Sequence, residues 1–248
     1  MNVLLLAAGL NTTSVQDDEP FCLREFNGIP LIQHLANRCL SLHPASVIVA
    51  MMEDDIRKYH LDNVVALVMP QAHLFKIHAK TQGAACTALL CGSRMNGNDE
   101  LLIVSANEML DIDFAEVVAA FRKRELDGGA VVFDSVHPRY SYLRLGADNF
   151  AVEAAEKRPI SRNATASFYW FRNSTLFFEA AKNMIRKDAH VNGSFYICPT
   201  FNELILNQLR IGAYPVDAGK YYPLKTDKQL DGFEAAIERT RRNEDRKI

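Results

Sequence analysis

The chain lacks three features that would each assign it to a class of protein. It has no apolar run approaching the ~20 residues that a helix needs to cross a bilayer, so we expect no membrane span. Its 28 lysines and arginines are balanced by 30 aspartates and glutamates, which gives no electrostatic basis for binding nucleic acid. No basic segment precedes the apolar run at the amino terminus, so we expect no signal peptide.

Paired cysteines and metal-ligand spacings are also missing. The five cysteines are scattered, none forms a CxxC pair, and their apolar neighbours are typical of reduced thiols in the core of a cytosolic protein. The seven histidines show no zinc-ligand spacing. These absences favour a cytoplasmic protein without a zinc site.

Strands and helices alternate through the first half of the chain. This pattern predicts a parallel sheet with helices on both faces, and ligands of such sheets bind at the carboxyl ends of the strands. The predicted strands are residues 2–8, 46–51, 64–69, 100–105 and 129–133. The predicted helices are residues 30–42, 54–60, 83–94 and 113–126.

The second half changes rhythm, with short strands that turn residues separate. Residues 140–145, 150–155 and 165–171 predict a small β-rich lobe whose first two strands form a hairpin. Helices at 174–187 and 199–209, a strand at 211–216 and an amphipathic helix over 227–248 follow. With 248 residues and 48% hydrophobic content, we expect one α/β domain over residues 1–248, with a mostly parallel sheet and this lobe.

The turn after the first strand suits a phosphate but carries no positive charge. Gly9 ends the strand and a polar segment follows, whose backbone N–H groups could hold an anion. From Gly9 to Leu23 every charged residue is acidic, and the first cation is Arg24. A triphosphate carries about four negative charges, and phosphate sites normally add Lys or Arg to the backbone amides. The backbone of this turn therefore favours phosphate binding, whereas its side chains do not.

Four segments, in this order, carry a resemblance to a known family. They are LLLAAG at 4–9, TQGAACTALL at 81–90, VEAAEKRPIS at 152–161 and YPLKT at 222–226. Together they resemble the sugar nucleotidyltransferases, the pyrophosphorylases that join a nucleoside triphosphate to a sugar 1-phosphate. The resemblance covers about residues 1–240. Within the family, VNGSFYICPTFNELI at 191–205 is most similar to small bacterial members found with capsule and surface-polysaccharide genes.

The resemblance implies a three-layer Rossmann-like fold of the GT-A nucleotidyltransferase type and a set of binding residues. Residues 1–133 would form the nucleotide-binding half and 134–226 the sugar-side half. The implied nucleotide contacts are Leu6, Ala8, Gly9, Gln82 and Gly83. The implied sugar-phosphate contacts are Glu156, Lys157 and Asn192, and Asp217 resembles a metal ligand. The catalytic candidates are Asn107, Glu108 and Lys157, with Mg²⁺ as the cofactor if the chain is catalytic.

Three positions depart from the family pattern. Thr13 and Phe21 stand where the family has an Arg and a Lys on the triphosphate, and Asn107 stands where it has a Mg²⁺-binding Asp. Nucleotidyl transfer depends on positioning and charge neutralisation, and an arginine finger alone is worth ~10³–10⁵ in rate. Glu108 is a candidate replacement for the lost carboxylate, and Arg24 for a lost cation.

Three functions are open on the sequence. The chain is a nucleotidyltransferase with relocated cations, or a non-catalytic relative that binds a nucleotide, nucleotide sugar or sugar phosphate as a homo-oligomer or beside an active homologue. In the third hypothesis it is a glycosyltransferase that holds a metal with Asp111 and Asp113. The structural alternative for these two residues is that Asp111 caps the helix starting at Phe114 and Asp113 lies in its first turn.

Overall fold

The computed structural model describes residues 1–8, 20–26 and 28–224, without the side chains of Phe21 and Phe26. The α-helices of this part are α1 (Leu31–Leu40), α2 (Glu53–Tyr59), α3 (Leu61–Val68), α4 (Ala84–Leu90), α5 (Phe114–Lys123), α6 (Ser174–Arg186) and α7 (Phe201–Leu206). The strands are β1 (Asn2–Leu6), β2 (Glu25–Phe26), β3 (Ile29–Pro30), β4 (Ser46–Met52), β5 (His73–Ile77), β6 (Leu101–Ser105), β7 (Glu108–Leu110), β8 (Gly128–Asp134), β9 (Ser141–Leu145), β10 (Ala151–Glu156), β11 (Asn163–Phe171), β12 (Ile211–Val216) and β13 (Tyr221–Pro223). Gly9, Thr13 and the helix predicted over 227–248 lie outside the described residues.

One large sheet with nine described strands forms the centre of the fold. Seven of these strands lie in the order β10-β9-β11-β6-β1-β4-β5, while β8 pairs with β11 and β12. The pairs β6-β1, β1-β4, β4-β5 and β8-β12 are parallel. Only β10 and β11 run against the other described strands of the sheet. The predicted α/β class with a mostly parallel sheet is confirmed.

Helices cover both faces of this sheet, so the fold has three layers. Apolar residues of α1, α3 and α5 pack on one face, and those of α4, α6 and α7 pack on the other. Strand β1 contributes to both cores, because Leu4 faces one and Leu5 the other. In α5 the predicted apolar stripe is buried as expected at Phe114, Val117, Val118 and Phe121. Within the described part of the chain, no helix is long and apolar enough to span a membrane.

One predicted strand was wrong. Residues 64–68 form the end of helix α3 and Met69 is its C-cap, while the strand that pairs with β4 on the side away from β1 is β5, which the sequence did not predict. In α3, Leu61 and Val65 are buried while Leu67 is 82% exposed, so burial follows one helical face. A short apolar run fits a buried strand and a helix equally well, and packing decided between them. The other predicted strands and helices in the described part are confirmed, with ends shifted by a few residues.

The predicted hairpin of the second half is confirmed and joins the main sheet. Strands β9 and β10 pair antiparallel, and β9 continues the sheet by pairing with β11. A separate two-stranded sheet, β7 with β13, lies after β6. Its pairing joins residues that are about a hundred positions apart in the sequence, which local patterns cannot predict.

Helix α5 is capped by Asp113 rather than by Asp111, which corrects the structural alternative above. The Asp113 carboxylate accepts hydrogen bonds from the N–H groups of Ala115 (2.8 Å) and Glu116 (3.4 Å). The Asp111 carboxylate instead forms an ion pair of 3.1 Å with Arg38. Both carboxylates therefore have structural partners of their own.

We expect Asp113→Ala to lower the free energy of unfolding by about 1 kcal/mol, because it removes the cap of α5. The matched variant Asp111→Ala removes only a partly exposed ion pair, so its loss should be about 0.5 kcal/mol or less. Urea denaturation of both variants measures the difference. Equal losses would contradict the assignment of Asp113 as the cap.

Candidate functional site

A cleft of about 490 Å³ opens where the parallel strands end. It is lined by Leu6 at the end of β1, Met52 at the end of β4, Ile77 at the end of β5 and Ser105 at the end of β6. Ala8, just beyond β1, also lines it. This is the edge at which the strand order predicts a ligand, and the volume is typical of small-molecule sites.

Gly83 allows two backbone segments to meet at one wall of the cleft. Its φ is +115°, and a Cβ at this position would lie 2.4 Å from the carbonyl oxygen of Phe195. Phe195 donates its N–H to the carbonyl of Gln82 (2.7 Å) and accepts from the N–H of Ala85 (3.0 Å). The absence of a side chain at Gly83 therefore sets the position of this wall. Gly83 lines the cleft, and so does Tyr196, which follows Phe195 in the chain.

A buried polar cluster lies on β9, β10 and β11. Glu156, at the end of β10, is 8% exposed and accepts a hydrogen bond from the Ser141 hydroxyl. The Thr165 and Tyr169 hydroxyls are 2.8 Å apart beside it. Burial raises the pKa of the Tyr169 phenol and of the Cys198 thiol, and the nearby Glu156 carboxylate raises both further. Polar groups held in this way can bind a polar ligand with little reorganisation.

Among the described residues, three cations line the cleft: Lys80, Arg139 and Lys157. The Lys157 ammonium donates to the Tyr196 hydroxyl (2.6 Å), and Arg139 donates to the hydroxyl of Tyr140. Within residues 1–8, 20–26 and 28–224, none of the three forms an ion pair with a carboxylate. Cations without carboxylate partners in a cleft make its potential positive, which favours an anionic ligand.

The sequence assigned no site role to Lys80, and for Arg139 it indicated only that Pro138–Arg139 of the β-rich lobe could face a substrate. Lys80 immediately precedes the family-like segment that begins at Thr81, and Arg139 precedes β9. Position next to the family-like segment was the signal that could have found Lys80.

Asn107 and Glu108 line the cleft after β6, and both are held by neighbours. The amide oxygen of Asn107 accepts from the Ser105 hydroxyl (2.6 Å). Glu108 accepts from the N–H of Ser167 (2.9 Å) and bonds the hydroxyl of Tyr221. Burial, together with the Glu108 carboxylate, raises the pKa of Tyr221. The Glu108 side chain of β7 is therefore hydrogen-bonded to residues of both β11 and β13.

The structure brings together most of the residues that the resemblance implied. The lining residues that were predicted are Leu6, Ala8, Gly83, Asn107, Glu108, Glu156 and Lys157. Gln82 and Asn192 are exposed and are not among the lining residues. Their roles stay predictions, and Gly9 lies outside the described residues.

Comparison with known proteins finds matches among solved structures but none by sequence. No protein-family model matches the sequence, and no curated protein is significantly similar to it. A nucleoside-diphosphate-sugar pyrophosphorylase from Vibrio cholerae matches with a TM-score of 0.79 at 17% identity, covering 95% of this chain and 100% of its own. A UDP-glucose pyrophosphorylase complexed with UDP-glucose matches with a TM-score of 0.76 at 14% identity, covering 96% and 98%. HddC from Yersinia pseudotuberculosis matches with a TM-score of 0.65 at 13% identity, covering 96% and 98%.

The chain has the sugar-nucleotide pyrophosphorylase fold. The resemblance seen in the sequence is confirmed at this level, because the matches extend over nearly the whole of both chains. Identities of 13–17% support the fold and leave the roles of individual residues as proposals.

The described residues do not fit the Mg²⁺ site that the resemblance implies for a pyrophosphorylase fold. Asn107 is neutral, and Glu108 is engaged by Ser167. Asp111 pairs with Arg38, and Asp217 accepts from the N–H of Gly219 (2.7 Å); neither lines the cleft. No group of three or more His, Cys, Asp or Glu side chains suited to a metal occurs among these residues. Mg²⁺ prefers carboxylate oxygens, so this set of donors is a poor match.

We expect Gly83→Ala to lower the free energy of unfolding by about 2 kcal/mol or more, because a Cβ there meets backbone atoms of Phe195. Gly193 is a matched control: its φ is +74°, but a Cβ there meets nothing within 4 Å. Gly193→Ala should cost about 1 kcal/mol from backbone strain alone. Chemical denaturation measures both, and a smaller loss at Gly83 than at Gly193 would contradict the close contact.

Proposed function

We propose that the cleft binds a nucleoside diphosphate sugar and that the protein belongs to nucleotide-sugar metabolism. One observation carries this proposal: Glu156 and Lys157, at the end of β10, line the same cleft as Leu6 and Gly83. The sugar-phosphate contacts and the nucleotide contacts implied by the resemblance therefore border one volume. Its 490 Å³ is in the range of small-molecule sites.

The reaction class that goes with this fold and these residues is NTP plus sugar 1-phosphate giving NDP-sugar plus diphosphate. This chain has Thr13, Phe21 and Asn107 where the family pattern has two cations and a metal ligand. Each loss reduces neutralisation of the triphosphate and of the leaving diphosphate. We therefore propose that the protein binds the sugar-nucleotide side of this reaction and holds the triphosphate weakly, with little or no turnover.

A glycosyltransferase that uses Asp111 and Asp113 is less well supported. Asp113 is occupied as the cap of α5, and Asp111 pairs with Arg38. Neither residue is among those lining the cleft. A role with surface polysaccharides rests on the resemblance of residues 191–205 to capsule-associated proteins and stays part of the proposal.

A ligand panel tests the proposed function. Thermal shift and calorimetry would compare nucleotide sugars of several bases, sugar 1-phosphates, and the triphosphates with Mg²⁺. We expect stabilisation by at least one nucleotide sugar, weaker binding of every triphosphate, and no diphosphate release above background when triphosphate and sugar 1-phosphate are combined. Tight triphosphate binding or rapid diphosphate release would show an active pyrophosphorylase, and no shift with any nucleotide sugar or sugar phosphate would remove the proposal.

We expect Lys157→Ala to weaken binding of the best sugar phosphate or nucleotide sugar about tenfold, because it removes a charge-assisted contact with phosphate. Arg158 is the matched control: it is the next residue and also exposed, but it pairs with Glu153 (2.6 Å) and does not line the cleft. Arg158→Ala should leave the affinity within about twofold. Calorimetric titration of both variants measures the difference, and equal effects would take Lys157 out of the site.

A further inference from the structure

Lys80 and Arg139 reach the cleft from opposite halves of the chain. Lys80 lies between β5 and α4, and Arg139 lies between β8 and β9. Both are exposed, and neither has a carboxylate partner in the described part of the molecule. Arg158, by contrast, is paired with Glu153. Two cleft cations that form no ion pair in the described part of the molecule favour an anion as their ligand.

We propose that Lys80 and Arg139, together with Lys157, bind the diphosphate group of the ligand directly, without a divalent metal ion. The inference rests on the proposed function in that it takes a phosphorylated ligand. It does not depend on which base or which sugar that ligand carries.

Aromatic packing holds Arg139 in place for this role. Its guanidinium lies 4.7 Å from the ring centroid of Tyr140 and donates to the hydroxyl of that residue. The Tyr140 ring contacts Phe133 (5.0 Å) and Tyr221 (5.7 Å), and these two rings stack at 4.2 Å. A guanidinium supported in this way loses little side-chain freedom when it binds phosphate, and its fork of donors matches phosphate oxygens.

The charges around the cleft support direct recognition. The described lining contains three cations and two carboxylates, Glu108 and Glu156. Both carboxylates already accept hydrogen bonds from the protein, Glu108 from Ser167 and Glu156 from Ser141. Neither carboxylate forms an ion pair with Lys80, Arg139 or Lys157 in the described part of the chain, so the three cations remain available to an anionic ligand.

Direct recognition also accounts for the missing metal ligands. A divalent ion would neutralise two charges on a diphosphate, and Lys80 and Arg139 bring the same charge. Asn107 is neutral and held by Ser105, and the described residues of the cleft include no group of acidic side chains suited to the ion. The cations that the sequence lacks near its amino terminus are in this view supplied by residues from elsewhere in the chain.

Calorimetric titration with inorganic diphosphate tests the inference without any choice of base or sugar. The full-length protein, freed of metal with EDTA, should bind diphosphate, and Mg²⁺ should raise the affinity less than threefold. Lys80→Gln and Arg139→Gln should each weaken binding about tenfold. The matched controls Lys76→Gln and Arg158→Gln change exposed cations that do not line the cleft, and should change it less than twofold. Circular dichroism would confirm that all four variants are folded.

The outcomes separate this inference from the proposed function. Binding that requires Mg²⁺, no binding of diphosphate, or equal effects of the cleft variants and their controls would overturn it. If diphosphate binds as expected but no nucleotide sugar does, the proposed function fails and the inference stands. If nucleotide sugars bind only with Mg²⁺, the proposed function stands and the inference fails.

Discussion

The pairing of β11 with strands from both halves of the chain is the constraint on which the site depends. Its carboxyl-terminal residues, Phe168–Phe171, pair with β6 of the parallel sheet, while Ala164 pairs with β9 of the hairpin. Because one continuous strand makes both contacts, the hairpin end that carries Glu156 is fixed beside the ends of β1 and β6. The pairing of β11 with β8 is interrupted by a bulge between Ala166 and Tyr169. At this bulge the Ser167 N–H donates a hydrogen bond to Glu108. The cleft is the space between these elements.

The distribution of charge in the cleft differs from what the amino-terminal turn suggested. The turn has no cation before Arg24, yet the described residues that line the cleft include three cations, which come from the segments before α4, before β9 and after β10. Two acidic side chains that were candidates for holding a metal form hydrogen bonds within the fold: Glu108 accepts from the Ser167 N–H, and Asp113 accepts from N–H groups at the start of α5. The described cleft therefore combines three cations with carboxylates that contribute to the structure.

Much of the fold was predictable because its strongest signals are local. The apolar run of β4 and the apolar stripe of α5 are patterns of neighbouring residues that indicate which side chains are buried, and both elements were predicted correctly. The failure at residues 64–69 came from a run too short to distinguish helix from strand, and the cap of α5 was misplaced by two residues because Asp111 and Asp113 both suit that position. The resemblance indicated several of the described lining residues, among them Gly83 and Lys157. Lys80 was missed because it lies just outside the segment that begins at Thr81, and for Arg139 the sequence indicated only that it could face a substrate.

The sequence by itself determined the α/β class and the edge of the sheet at which the cleft opens, because both follow from the order of strands and helices along the chain. Only the tertiary structure decided that the Glu108 side chain bonds Ser167 of β11 and that Lys80 and Arg139 line the same cleft as Lys157. These facts depend on contacts between residues far apart in the chain, and the free energy that selects such contacts comes from packing of the whole core rather than from local propensity.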